Sequence, residues 1–166
     1  MGLLRGVALL FLLGCFLAVS PQDAAPPPLY IAKGACPFEG CVYRQWTALR
    51  ALEVFDRPDG KRVVDRLRPS EKVEALTGEV HCRPLRTVAT RNHPGGIAKG
   101  ETFYLLHYLG EGAWKVWFRG SLTEIEDLPA GTPLPETTWW AQVRTERGIT
   151  GWVIATSNFD GQDQLA

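Results

Sequence analysis

An all-β fold, built of short hairpins that close into a small barrel-like unit, is the prediction of this sequence, and three stretches carry it. In residues 139–154, Trp139, Trp140, Gln142, Val143 and Arg144 are followed by Gly148, Gly151 and Trp152, a pattern of strand, tight turn and strand. Trp139, Ala141 and Val143 fall on one face of the first strand and Trp140, Gln142 and Arg144 on the other, because side chains alternate along an extended chain. Gly148 and Gly151 offer the positive φ and the close backbone approach that the turn and the following bend require. Residues 102–109 and 113–118 flank Gly110 and Gly112 in the same hairpin arrangement. Residues 62–67 and 72–77 are short and partly alternating, as in a β-meander.

From the N-terminus, Arg5 precedes an unbroken apolar run over residues 7–19, the layout of a cleavable secretory signal peptide occupying residues 1–20. The run is shorter than the ~20 apolar residues of a membrane-spanning helix, so no span is expected once it is removed. Ala18 and Ser20 have the small side chains of a cleavage site, although Pro21 follows the cut. Leu12, Gly14 and Cys15 instead resemble a lipobox, which would make Cys15 a lipidated N-terminus; the apolar run continuing through Val19 argues against it. Residues 21–35 read as a Pro/Ala-rich extended linker, with Pro26, Pro27 and Pro28 a spacer rather than a ligand.

Beyond the signal remain Cys36, Cys41 and Cys82, in a compartment that permits disulfides. Cys36 and Cys41 are the natural pair, closing a small loop with Gly40 at the turn, a link contributing about 2 kcal/mol. Cys82 either competes for one of them or stays buried as a small hydrophobe. A zinc site would join Cys36, Cys41, His81 and Cys82, but adjacent His81 and Cys82 point to opposite faces of a strand.

Residues 46–55 are rich in apolar strand formers and end at the turn signal Arg57, Pro58, Asp59 and Gly60. The chain-turning cluster at residues 91–96 marks an internal boundary between a first β unit, residues 36–92, and a second, residues 97–158. On the strand at 113–118, Trp114, Val116 and Phe118 share one face and Lys115, Trp117 and Arg119 the other, which sets Trp117 among charges. Residues 121–136, with Glu124, Glu126, Asp127 and three prolines, read as a surface excursion, either a solvated acidic loop or a rim beside Trp139 and Trp140. Residues 159–166 read as a polar tail.

Lys plus Arg and Asp plus Glu balance at 18 each and the pI is about 6.8, so no global field favours nucleic acid or an anionic membrane. The order of Arg66 and Leu67, a polar turn, residues 71–76, and later Trp140 to Arg144 with Gly148, Gly151, Trp152 and Val153 resembles bacterial Src homology 3-like domains. The closing Gly-x-x-Gly-Trp-Val is the most specific part. A second copy of the middle section is suggested by Lys99, Gly100, Tyr104, Trp114 and Trp117, so the chain is either two degenerate barrels or one barrel enlarged by an inserted hairpin. The resemblance implies a periplasmic or extracellular binding module of the cell envelope. It would recognise cell-wall peptide or glycan, or an envelope protein partner, and needs no cofactor.

Aromatic side chains supply the candidate surface. Trp114, Trp139 and Trp152 are expected mainly buried because each shares its face with apolar neighbours. Trp117 and Trp140, with Arg119, Gln142 and Arg144, are the expected ligand contacts. Enzyme activity is not expected. His81, His93, His107 and Cys82 could in principle form a Cys/His hydrolase, and Glu111 with Glu124, Glu126 and Asp127 could supply paired carboxylates. However, Cys82 lacks an activating helix start, His93 sits in a Pro/Gly turn, and there is no serine nucleophile elbow.

Overall fold

A computed structural model describes residues 24–164; the expected signal peptide, Cys15 and residues 21–23 lie outside the described residues. Among these, the fold is all-β, with strands β1 (Tyr30–Lys33), β2 (Gln45–Ala48), β3 (Leu52–Phe55), β4 (Val63–Leu67), β5 (Lys72–Cys82), β6 (Leu85–Val88), β7 (Thr102–Gly110), β8 (Ala113–Phe118), β9 (Ser121–Glu126), β10 (Thr137–Thr145), β11 (Thr150–Ile154) and β12 (Phe159–Asp160). They make two sheets. One is a curled half-barrel in the order β12-β2-β5-β10-β11-β3-β4, with β1 added beside β5; the other is a meander, β6-β7-β8-β9.

The long strand β5 organises the first sheet. Its early part pairs with β2, its late part with β1, and β10 runs antiparallel along its other edge from Cys82 opposite Thr137 to Val73 opposite Thr145. A register shift between Gln142 and Val143 leaves Leu76 as an extra residue on β5, and such a bulge increases local twist. The core inside the curl contains Trp46, Val54, Leu67, Val73, Val80, Trp139, Val143 and Val153. Each such side chain contributes about 1.5–3 kcal/mol by leaving water.

Two glycines explain why this packing needs this sequence. A Cβ on Gly78 would lie 2.0 Å from Tyr43 Oη and 2.8 Å from Trp139 Nε1. Those two groups sit over its backbone, where Trp139 donates to Tyr43 Oη (3.1 Å) and Tyr43 donates to the Ala35 carbonyl (2.7 Å). Gly151 lets β11 close on its neighbours: a Cβ there would meet Val54 and Val64 side chains and the Phe55 carbonyl within 3 Å. The turn ahead of β11 uses Gly148 at φ 78°. It is held from outside by Arg147, which contacts Asp65 at 3.0 Å and Glu71 at 2.8 Å and donates to the Arg66 carbonyl. Burial alone would raise the Asp65 carboxyl, but hydrogen bonds from Arg147, the Arg66 amide and Thr145 hold it below its usual value.

The second sheet is an insertion. The chain leaves β5 at Cys82 and returns into β10 at Thr137, directly opposite, and the Arg83 amide donates to the Glu136 carbonyl (3.0 Å) where the two connections pass. Thus β10, β11 and β12 belong to the same sheet as β2 to β5, and the turn cluster at 91–96 lies between β6 and β7 of one meander. The division at 92/97 therefore does not coincide with the sheets, because β6 pairs forward with β7 rather than back with β5. The second core, beneath one face of the meander, holds Ile97, Phe103, Leu105, Val116, Phe118 and Ile125. Residues 121–126, expected as loop, form edge strand β9, the expected linker contributes β1, and the expected polar tail begins with β12, paired to β2 with Phe159 buried in the first core.

Cys36 and Cys41 form a disulfide, and Cys82 is a buried thiol. Gly78→Ala is expected to destabilise the fold by about 3 kcal/mol, the upper end of overpacking costs, because the obstacle is a hydrogen-bonded ring pair rather than a free side-chain end. Equilibrium urea unfolding measures it; a loss under about 1 kcal/mol would show that the pair is not fixed there.

Candidate functional site

Where the inserted meander meets the half-barrel, a groove forms around Trp114. On one side of this half-buried ring is a cleft of about 180 Å³ lined by Pro37, Val80, His107, Tyr108, Leu134 and Pro135. On the other is a cleft of about 350 Å³ bounded by Gly112, Asp127, Leu128, Pro129, Thr132 and Leu134. Trp114 and Leu134 line both. Leu134, 61% exposed, stands on the loop of residues 127–136 that connects β9 to β10.

Each wall has a structural reason to be there. Tyr108 lies opposite Trp114 in the β7–β8 pairing, between two register shifts, and the rings meet at 5.3 Å and 58°. Its hydroxyl donates to Glu39 (2.9 Å) and accepts from the Gly112 amide (3.1 Å), while the Glu111 amide also donates to Glu39. Glu39 belongs to the Cys36–Cys41 disulfide loop, so the disulfide loop, which also supplies Pro37, is clasped onto the tip of the inserted hairpin.

His107 is buried and stacks on Tyr30 of β1 at 5.6 Å and 19°. Burial, followed by repulsion from Lys115, pushes its imidazole below the usual value, which favours the neutral ring. Its Nδ1 is buried and has no hydrogen-bond partner among the described residues, and His107 is one of the residues lining the first cleft. A cleft with a half-buried tryptophan and apolar and proline walls suits a ligand that stacks on that ring.

The residues expected from sequence to bind ligand do not converge here. Trp140 is only 4% exposed; its ring packs against Phe55 at 5.9 Å and against His81 at 6.5 Å. It lies on the outer face, as alternation requires, but the β3–β4 hairpin folds over it. His81 fastens that cover, with its two ring nitrogens 3.1 Å from Asp59 and 2.9 Å from Glu79. Gln142 is half-buried, and Arg144 pairs with Glu74 at 2.8 Å beside a shallow polar depression. Trp117 is half-buried, its indole N–H donating to the Ala24 carbonyl (2.7 Å), and exposed Arg119 pairs with Glu101.

Of the tryptophans expected to be mainly buried, Trp139 is, whereas Trp114 and Trp152 are only half-buried. Trp114 faces the second core with Val116 and Phe118, but at the end of the hairpin, where the core opens into the groove. The signal available in sequence was the doublet Tyr108 and Trp114 across Gly110 and Gly112, next to the proline-rich 127–136 connection. That connection forms the rim of the groove beside Trp114 and not beside Trp140.

The histidines and Cys82 are dispersed among separate environments. His93 packs on Phe103 at 6.0 Å in the second core, and the Cys82 thiol donates to the Leu106 carbonyl. Burial pushes that thiol up to about 12, the opposite of nucleophilic activation. Comparison with protein families, with curated proteins and with solved structures finds no match for this chain.

Cys82 should accordingly resist iodoacetamide in the folded chain at mildly alkaline pH and react once the chain is unfolded in guanidinium. Mass spectrometry of the labelled chain measures this. Alkylation of the native protein at the rate of a peptide thiol would contradict the burial and the raised pKa.

Proposed function

We propose that this chain is an exported, non-enzymatic binding module of a bacterial cell envelope that holds cell-wall peptide or glycan in the groove around Trp114. The observation that carries the reading is the groove itself, with Trp114 shared by two clefts and Tyr108 beside it. Two small adjoining clefts suit a single extended strand. A protein partner docking by a flat face would call for an area on the order of 800 Å² from each side.

The Src homology 3-like reading is supported by the curled sheet in which β2 to β5 are completed by β10 and β11, and by the close approach at Gly151 within the Gly-Trp-Val ending. On that reading the chain is one barrel enlarged by an insertion, and the groove lies where the insertion joins the barrel. Export is supported by the Cys36–Cys41 disulfide. A non-enzymatic role is supported by the scattered histidines and the inert setting of Cys82.

Co-sedimentation with purified peptidoglycan sacculi tests the proposal, using the parent and a Trp114→Ala variant with matching circular dichroism. The parent is expected to pellet with the sacculi, and the variant to bind about tenfold more weakly, equivalent to about 1.4 kcal/mol. Failure of the parent to pellet would overturn wall recognition and move the ligand to an envelope protein; equal binding by both would remove the groove as its site.

A further inference from the structure

The tip of the β3–β4 hairpin is fastened to the outer face of the first sheet by a histidine set between two carboxylates. His81 of β5 is buried, with its Nδ1 3.1 Å from Asp59 Oδ2 and its Nε2 2.9 Å from Glu79 Oε2. A carboxylate only accepts hydrogen bonds, and a neutral imidazole has a single N–H. With both carboxylates ionised, the two contacts are therefore hydrogen bonds together only when the ring is an imidazolium. The carboxylates are not equivalent. The Glu79 side chain is 17% exposed, whereas that of Asp59, on the hairpin turn, is 65% exposed. Asp59 has φ 55°, a left-handed conformation that Asp tolerates better than most residues.

Other charged groups surround this contact. β1 places Ile31 opposite His81 and Lys33 opposite Glu79, while β10 places the uncharged Thr138 and Trp140 opposite the same two residues. Beyond the end of β5, Arg83 pairs with Glu136 at 3.6 Å. The hairpin tip itself carries Arg57, Lys61 and the Asp56–Arg62 pair at 3.2 Å. Among these side-chain types only histidine ordinarily changes charge between about pH 5 and about pH 8. Beside the latch lies Trp140, its ring against Phe55 and His81. Its buried Nε1 has no hydrogen-bond partner among the described residues. An unpaired buried donor costs free energy that contact with water would relieve, so closure over this ring depends on its fastening.

We propose that His81 is a pH-dependent latch, which as imidazolium fastens the hairpin tip over Trp140 and on losing a proton releases Asp59 and lets water reach the indole. The proton leaves Nδ1 for solvent, because the Nε2 N–H keeps the shorter and better shielded contact to Glu79. The lone pair then left on Nδ1 faces the Asp59 carboxylate, and Asp59 turns to water. The base of the hairpin stays, with Val54 in the first core and Arg66 paired with Glu53, so the movement is confined to residues 56–62. The cover is closed at mildly acidic pH and loosened at mildly alkaline pH, independently of the Trp114 groove.

The test is nuclear magnetic resonance of the full chain between about pH 5 and about pH 8.5, following the His81 ring nitrogens and the water exchange of the indole N–H groups. Trp46 and Trp139, buried in the first core, serve as internal references for the intrinsic effect of pH on exchange. Relative to them, protection of the Trp140 indole is expected to fall about tenfold or more as the His81 ring loses its proton. Asp59→Asn should abolish that dependence, since an amide can donate to or accept from either form of the ring. Asp59→Gly, which suits the positive φ, should do the same; circular dichroism matching the parent certifies each fold. The proposal is overturned if His81 stays in one protonation state throughout, or if it titrates while Trp140 protection holds level with the references. It is equally overturned if the dependence survives in the Asp59 variants, or if all three indoles lose protection together, since that would report unfolding of the sheet and not release of the tip.

Discussion

The absent side chain of Gly78 is the constraint on which the arrangement of both sheets depends. Tyr43 and Trp139 lie over that backbone, tying β2 and its approach, the Ala35 end of the disulfide loop and β10 to the middle of β5. With that node in place β5 runs straight on to Cys82, flanked by β1 and β10. The insertion therefore departs and returns at adjacent points, and the Arg83 amide and Glu136 carbonyl fasten its base. Burial of a hydrogen-bonded aromatic pair is worthwhile because each ring removes a large apolar area from water while its polar atom stays satisfied.

The groove follows from the way the insertion is braced. Three contacts span the two sheets: the Cys82 thiol to the Leu106 carbonyl, Tyr30 stacked on His107, and Tyr108 with the Glu111 amide clasping Glu39. The last connects the groove to the disulfide, since the Cys36–Cys41 loop presents both Glu39 and Pro37. The short covalent loop thereby holds one part of the groove's lining, to which the proline-rich 127–136 connection contributes Leu134 and Pro135. The meander offers one face to its own core and this groove, and the other to residues 24–28 through Trp117.

The hairpins at 102–118 and 137–154 were legible because alternation and turn glycines are local signals, and β7, β8, β10 and β11 occupy those positions. The strand β9 was hidden because it is a polar edge strand, with only Ile125 buried, and its sequence differs little from an acidic loop. The first strand was hidden inside what composition presents as a linker, since its partner, the late part of β5, is some fifty residues away. Alternation placed Trp140 on the correct face and still misjudged its exposure, because the cover comes from Phe55 and the Asp59–His81 contact, which no local pattern reveals. The reverse held for Trp114. Its face was apolar as expected, but position along the strand, not face, decides that it reaches the rim. Trp117 was singled out by its charged neighbours, whereas what it meets is the carbonyl of a segment read as a free spacer.

A direct test of a ligand groove at the sheet junction is a nuclear magnetic resonance titration of the indole N–H signals of the six tryptophans with soluble muropeptide fragments. Binding at the junction predicts a saturable shift of the Trp114 signal, with those of buried Trp46, Trp139 and Trp140 unmoved. Shifts concentrated on any other tryptophan, or no saturable shift at all, would contradict it.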